Sequence, residues 1–370
     1  MDASTLVYLL FTTLLIPLVG VLVAITPWLM RNDECFAVTI PASAQKDPEI
    51  RGFKRSYTAW TLAVTLVLAV VSALVFVLVS PAVAVACLVA DTVVLMVFSF
   101  ALMLHYRKKV QELKGREGWT AEADLRSAVV GEREVPRPLS PWWEVLNVPV
   151  IAVTLAIGIA GYASMPDLIP IHMGLDGQVN DWAEKSPLVI LFAPLFQLFL
   201  TAVFAFTQWG IARSKKPNAP GAPVSSAYAY GRFARAQGMF MLAMGLILNV
   251  SAIAIQLSMV GAMELGAAAI VMAGAAVVAV VGAIVLAVVY GQSGARAMAQ
   301  PAGEDGLLHD DDCFWKLGVF YVNAHDPSLF VPKRFGVGWT VNFGRPSAWA
   351  LMVGLVLAVV VFVLIIGGLL

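Results

Sequence analysis

Apolar positions in this chain fall in long unbroken runs, without the three-to-four-residue spacing of a half-exposed helix. A helix needs about 20 mainly apolar residues to cross a bilayer. Runs of that length lie at roughly 5–30, 58–80, 82–105, 146–164, 187–212, 237–259, 265–290 and 347–369. They predict an all-α, polytopic membrane protein, an eight-transmembrane-helix bundle. Between the fourth and fifth runs the pattern changes. Met165-Pro166 stops one helix, since a residue before proline leaves the helical region, and Ser186-Pro187 reads as the N-cap and first position of the next.

Composition agrees: 60 % of residues are hydrophobic and 13 % charged, with a mean hydropathy of +0.83, too apolar for a soluble domain of this length. Lys and Arg are retained on the cytoplasmic side during insertion. The loops at 31–57, 106–145, 213–236 and 291–346 hold 5, 8, 5 and 5 of them, 23 of the 24 in the chain, and only Lys185 lies elsewhere. These loops alternate with the others, so eight spans and two external termini follow. The first span has no basic residue before it and is too long for a signal-peptide core, so it reads as an uncleaved helix. An inner face rich in cations suits anionic lipid and implies no nucleic-acid partner. Cys35 and Cys313 fall in inner loops and Cys87 in the third span, which gives no disulfide framework.

Four regions result: 1–144, three spans with cytoplasmic loops; 145–212, spans four and five around the external loop 165–186; 213–290, spans six and seven; and 291–370, a cytoplasmic segment and span eight. Span seven carries Ala275, Ala279, Ala283 and Ala287 at every fourth position, a spacing that lets helix backbones approach closely in lipid.

Candidate chemistry concentrates in the external loop, where Asp167, His172, Asp176, Asn180, Asp181, Trp182 and Lys185 gather as ligand-binding candidates. His172 with Asp176 and Asp181 is a weak metal candidate, since imidazole and carboxylate suit zinc. The same residues fit a pH-sensitive gate, in which His172 gains charge below about 6.5, or simple turn capping. Within the spans, Asp91 sits mid-helix at an insertion cost of about 2.5–3.5 kcal/mol and is a functional candidate by default. The alternative is a protonated Asp91 hydrogen-bonded to a neighbouring helix, with Asn249 or Gln197 as partner. Asp91 also supports a different reading, a small-solute or proton-coupled transporter. No His-Glu-x-x-His helix, Gly-x-Ser-x-Gly elbow, Cys-x-x-Cys pair or phosphate loop occurs. An enzyme is therefore not the expectation, although an intramembrane metal-dependent hydrolase remains a third reading. No cofactor is expected.

A weak internal repeat of about 28 residues adds a second candidate surface. Asp47-Pro48, Lys54-Arg55 and Trp60-Thr61 recur as Asp326-Pro327, Lys333-Arg334 and Trp339-Thr340, each copy preceded by a Cys-Phe pair. The copies either anchor at lipid headgroups or lie side by side as a docking surface for a protein inside the cell.

Residues 163–186, with Met165-Pro166-Asp167-x-x-Pro170-x-His172 followed by Gly177, Asp181, Trp182 and Lys185, resemble a domain of unknown function (1648, here about 145–212) that accompanies SdpI-type immunity and signalling proteins. The chain departs from the usual pattern in having Met173-Gly174 where Phe-Asn is commoner. Lys333-Arg334-Phe335-Gly336-x-Gly338-Trp339-Thr340-x-Asn342-Phe343 resembles a short C-terminal domain (about 313–345) found in such proteins. The resemblance implies an SdpI-like protein of the bacterial plasma membrane, protection against a secreted toxic peptide, and relay to a regulatory protein inside. In this reading, ligand binding near His172, Asp176 and Asp181 shifts spans four and five against span seven.

Overall fold

The computed structural model of the chain describes residues 16–79, 81–121, 135–173, 179–217, 223–297, 307 and 309–369. Helices α1 (Ile16–Leu29), α2 (Pro48–Leu78), α3 (Pro81–Arg116), α4 (Val148–Gly161), α5 (Phe192–Arg213), α6 (Pro223–Met259), α7 (Leu265–Tyr290) and α8 (Pro346–Gly367) carry most of it. Counting the 3₁₀ turns that flank α4, the seven from α2 to α8 are long and apolar enough to cross a membrane. The described part of α1 is 14 residues.

Helix bounds differ from the apolar runs where polar chemistry sets them. The α2 helix begins at Pro48, nearly three turns into the charged loop. There the Asp47 carboxylate accepts the Glu49 N–H (2.6 Å) and the Ile50 N–H (3.4 Å), and proline occupies the first helical position. Likewise α3 runs on to Arg116 and α6 starts at Pro223, since helix continues beyond the hydrocarbon where hydropathy no longer marks it. At α5 the correction goes the other way. Ser186 caps only a turn, accepting from Val189 N–H at 3.3 Å, and the helix proper opens at Phe192.

Among the described residues four small antiparallel sheets, each of two strands, join the helices. They are β1 (Glu34–Cys35) with β2 (Val38–Thr39), β3 (Leu168–Met173) with β4 (Val179–Glu184), β5 (Trp315–Lys316) with β6 (Phe320–Tyr321), and β7 (Phe330–Pro332) with β8 (Trp339–Val341). The all-α expectation therefore holds for the spans and misses the hairpins at both ends.

The α6 helix packs against α4, α5 and α7, while α2 packs against α1 and α3. Span seven therefore lies against six and one, and against β3. Small residues set the α6–α7 spacing: a Cβ at Gly282 would lie 2.6 Å from the Phe240 ring.

At the Lys/Arg-rich end the segments that follow α1 and precede α8 interlock. The β1–β2 turn places Phe36 (φ 46°) and Ala37 (φ 59°) in the left-handed region that a two-residue hairpin demands and non-glycine residues avoid. Burial offsets that strain. Phe36 is fully buried, its ring 5.5 Å from Tyr57, 5.3 Å from Tyr106 and 5.9 Å from Phe335.

The repeated motif takes two unrelated forms. In the first copy Asp47 caps α2, Lys54 is buried with Nζ 2.6 Å from Gln45 Oε1, and Arg55 and Trp60 are exposed on the helix. In the second, Asp326 accepts the Ser328 N–H at 2.9 Å and pairs with Lys215, Pro327 is exposed, Lys333 and Arg334 lie between β7 and β8, and Trp339 stacks on Phe233. Pro332 removes a donor, and Gly336 (φ 90°) and Gly338 (φ 112°) adopt backbone angles closed to a helix. The similarity is one of sequence, not of local fold.

Candidate functional site

The segment between α4 and α5 is a β-hairpin with two different faces. Ile169 (fully buried) sits opposite Ala183 in the register, and both turn toward Met165, Val189, Met259 and Val260 at the ends of α4, α5 and α6. Leu168 (56 % exposed), Pro170 and Trp182 (50 % exposed) fall on the other face, with Pro170 opposite Trp182.

A register shift after Pro170 re-aims His172, which is exposed, and its Nδ1 donates to Asn180 Oδ1 at 2.5 Å. Asp181 is exposed and accepts the Trp182 N–H at 3.0 Å, and Asp167 is exposed with its carbonyl holding the Lys185 N–H at 2.9 Å. Lys185 acts as a fastener: Nζ donates to Met165 O at 2.8 Å and lies 5.1 Å from the Tyr162 ring centroid. His172, Asn180, Asp181 and Trp182 are thus brought together, while Lys185 points back to the bundle. Asp176 lies outside the described residues. Among those described, no three His, Cys, Asp or Glu side chains converge as a metal site would require. The strands were readable in Ile169 and Ile171, two apart, facing Val179 to Ala183 across turn-forming residues.

Asp91 is buried between α2 and α3, where the Ser72 hydroxyl donates to Oδ2 at 2.6 Å. This corrects the expected pairing, because Gln197 and Asn249 belong to a second cluster among α4, α5 and α6. There Gln197 Nε2 donates to Thr154 Oγ1 (2.8 Å) and to the Asn249 carbonyl (2.7 Å). Asn249 Nδ2 donates to Asn147 Oδ1 (2.6 Å) and Thr201 Oγ1 (3.0 Å). Asn147 Nδ2 donates to Glu144 Oε2 (2.7 Å), and Gln208 Nε2 donates to Glu144 Oε1. Reading the sequence for isolated intramembrane acids misses this file, yet its spacing was present. Gln197, Thr201 and Gln208 are four and seven apart, and Asn249 and Gln256 seven apart, which puts each set on one helical face.

A third cluster ties the repeat copies together inside the basic end. Arg334 (2 % exposed) pairs with Glu34 Oε1 at 3.3 Å and with Asp311 and Asp312, and donates to Thr39 Oγ1 at 2.9 Å. Arg31 also pairs with Glu34, and Lys114 holds Asp310 (2.6 Å) and Asp312 (2.7 Å). Burial brings the Arg334 guanidinium down to about 10 despite its acids, and burial pushes the Glu34 carboxyl up despite Arg31 and Arg334. Both shifts run toward neutrality, as expected where desolvation exceeds the attraction between buried charges.

Against known families, residues 149–198 match a domain of unknown function (DUF1648), which spans α4, the hairpin and the start of α5. Residues 325–349 match a family of unknown function (DUF5808), which spans β7, β8 and the start of α8. No curated protein and no solved structure matches the chain.

Proposed function

We propose that this chain is a multi-pass protein of the bacterial plasma membrane, SdpI-like in role, that recognises a secreted peptide or another envelope ligand through the β3–β4 hairpin. It passes that recognition to a regulatory protein inside the cell. The observation that carries the reading is the two-faced hairpin. Ile169 and Ala183 bolt one face to the ends of three helices, while Leu168, Pro170 and Trp182 lie on the other, beside the exposed His172, Asp167 and Asp181. An exposed aromatic rimmed by carboxylates suits a cationic, partly apolar peptide. Occupying it loads α4, α5 and α6 together, and a signal results only if the ligand binds two packings of these helices with different affinity.

The test uses a strain lacking the gene, challenged with a panel of secreted antimicrobial peptides and restored with wild type, His172→Ala, Trp182→Ala or Asp91→Asn at equal membrane abundance. The reading expects protection lost with the two hairpin variants and kept with Asp91→Asn. Protection lost only with Asp91→Asn moves the assignment to a proton-coupled transporter, a reading supported by the burial of Asp91 against Ser72. Equal protection from all four constructs removes external recognition.

A further inference from the structure

The polar file among α4, α5 and α6 is left unused by recognition at the hairpin, and its chemistry is unusual for a lipid-embedded bundle. Glu144 (3 % exposed) is the sole acidic residue of these helices and of the 3₁₀ turn Pro141–Asn147 that leads into α4. No Lys, Arg or His pairs with it among the described residues. The cations its neighbours do carry, Arg213 on α5 and Arg232 and Arg235 on α6, are exposed, and α4 has none. The elements packed around the carboxylate contribute only neutral groups: Asn147 from its own turn, Gln208 and Phe204 from α5, Gly245 and Asn249 from α6.

A carboxylate removed from water without a counter-charge is strongly disfavoured, and amide donors meet only part of that cost. The amides along the file carry the complementary feature. Gln197 Oε1, Gln208 Oε1, Asn249 Oδ1 and Gln256 Oε1, on side chains no more than 1 % exposed, have no hydrogen-bond partner among the described residues. Gln208 bonds Glu144 through its nitrogen, so its unpaired oxygen lies beside the carboxylate, and a half-turn of the amide presents that oxygen to the same point. Hard, uncharged oxygens beside one carboxylate, with neither thiol nor imidazole, suit a small hard cation of single charge. Gly158 lies at the other end of the file, where a Cβ would come within 2.4 Å of Gln256 Nε2, so the Gln256 amide packs directly against the α4 backbone.

We infer that Glu144, with the amide oxygen of Gln208, binds a small monovalent cation, a proton or an alkali ion, in the core of the α4–α5–α6 unit. Cation occupancy neutralises the file and sets the spacing of the three helices that also carry the hairpin.

The test uses the purified full-length chain in detergent micelles at pH 7, and its readouts need no peptide ligand. Melting is compared in sodium, potassium and choline chloride, and infrared difference spectra are taken between wild type and Glu144→Gln. An alkali ion at the site gives a rise of about 3 °C in sodium or potassium over choline, absent in Glu144→Gln. A proton gives no such rise, and a protonated carboxyl band in wild type that vanishes in Glu144→Gln. Should Glu144→Gln fail to fold, Glu144→Asp replaces it, expected to weaken the alkali response about tenfold or to shift the carboxyl band. A wild-type protein showing neither the melting shift nor the band carries a bare anion, and the inference is then wrong.

Discussion

Arg334→Met offers the sharpest quantitative check on how the segments after α1 and before α8 are held. Breaking a buried ion pair by removing one partner costs about 3–5 kcal/mol, mostly through the charge left behind. Here three carboxylates lose Arg334, but each keeps something. Glu34 retains Arg31, Asp312 retains Lys114 at 2.7 Å, and Asp311 retains His309 at 3.3 Å. The cost therefore falls at the lower end, about 3 kcal/mol, or roughly a hundredfold in the equilibrium for opening the β5–β8 segment. Opening can be followed by endoproteinase Lys-C cleavage after the exposed Lys316 in detergent-purified protein, under conditions where reclosing is fast compared with cleavage. Cleavage should accelerate about a hundredfold in Arg334→Met. In Arg334→Met with Glu34→Gln it should return most of the way, because both charges are held at a desolvation cost. Single-variant cleavage within threefold of wild type, or a double variant as labile as the single, would refute the account of the cluster as mutually dependent buried charges.

Other expectations separate structural from recognition roles. Ile169→Ala removes fully buried volume beneath the hairpin and should cost about 2–5 kcal/mol, whereas Trp182→Ala on the other face should leave stability within about 0.5 kcal/mol; thermal melts in detergent compare them. Ser72→Val deprives the buried Asp91 carboxyl of its hydroxyl donor and should cost about 1–3 kcal/mol. Asp91→Asn keeps an acceptor there and should melt close to wild type. At Asp326, burial alone would raise the carboxyl, but Lys215, the Ser328 N–H and the Tyr321 hydroxyl outweigh it and hold the group at about 2. A folded value below the ordinary carboxylate value of about 3.9 means stabilisation present above that pH and lost as pH falls from about 4 toward 2. Fluorescence of the β5–β8 aromatics against pH should show that loss in wild type and a flatter curve in Asp326→Asn.

The sequence by itself determined where helices of membrane length lie, because lipid offers no partner for backbone N–H and C=O groups and each crossing must satisfy them within one segment. That requirement is local, so it can be read from single runs of residues, as can the break at Met165-Pro166. The candidate site was legible as a cluster of residue types around His172, and Ile169 and Ile171 hinted at its strand. Partnership was not legible. Asp91 looked equally suited to Gln197 or Asn249, yet it meets Ser72 across the α2–α3 hairpin, since only the packing of near-equivalent apolar faces decides which helices are neighbours. The packing of α5 and α6 against Glu144 makes it the buried end of a polar file. The repeat motif specified the same residues twice, and Pro332, Gly336 and Gly338 turned one copy into a hairpin. Arg334 then reaches Thr39, 295 residues earlier in the chain, a contact that no local spacing encodes and that exists because both ends of the chain return to one basic surface.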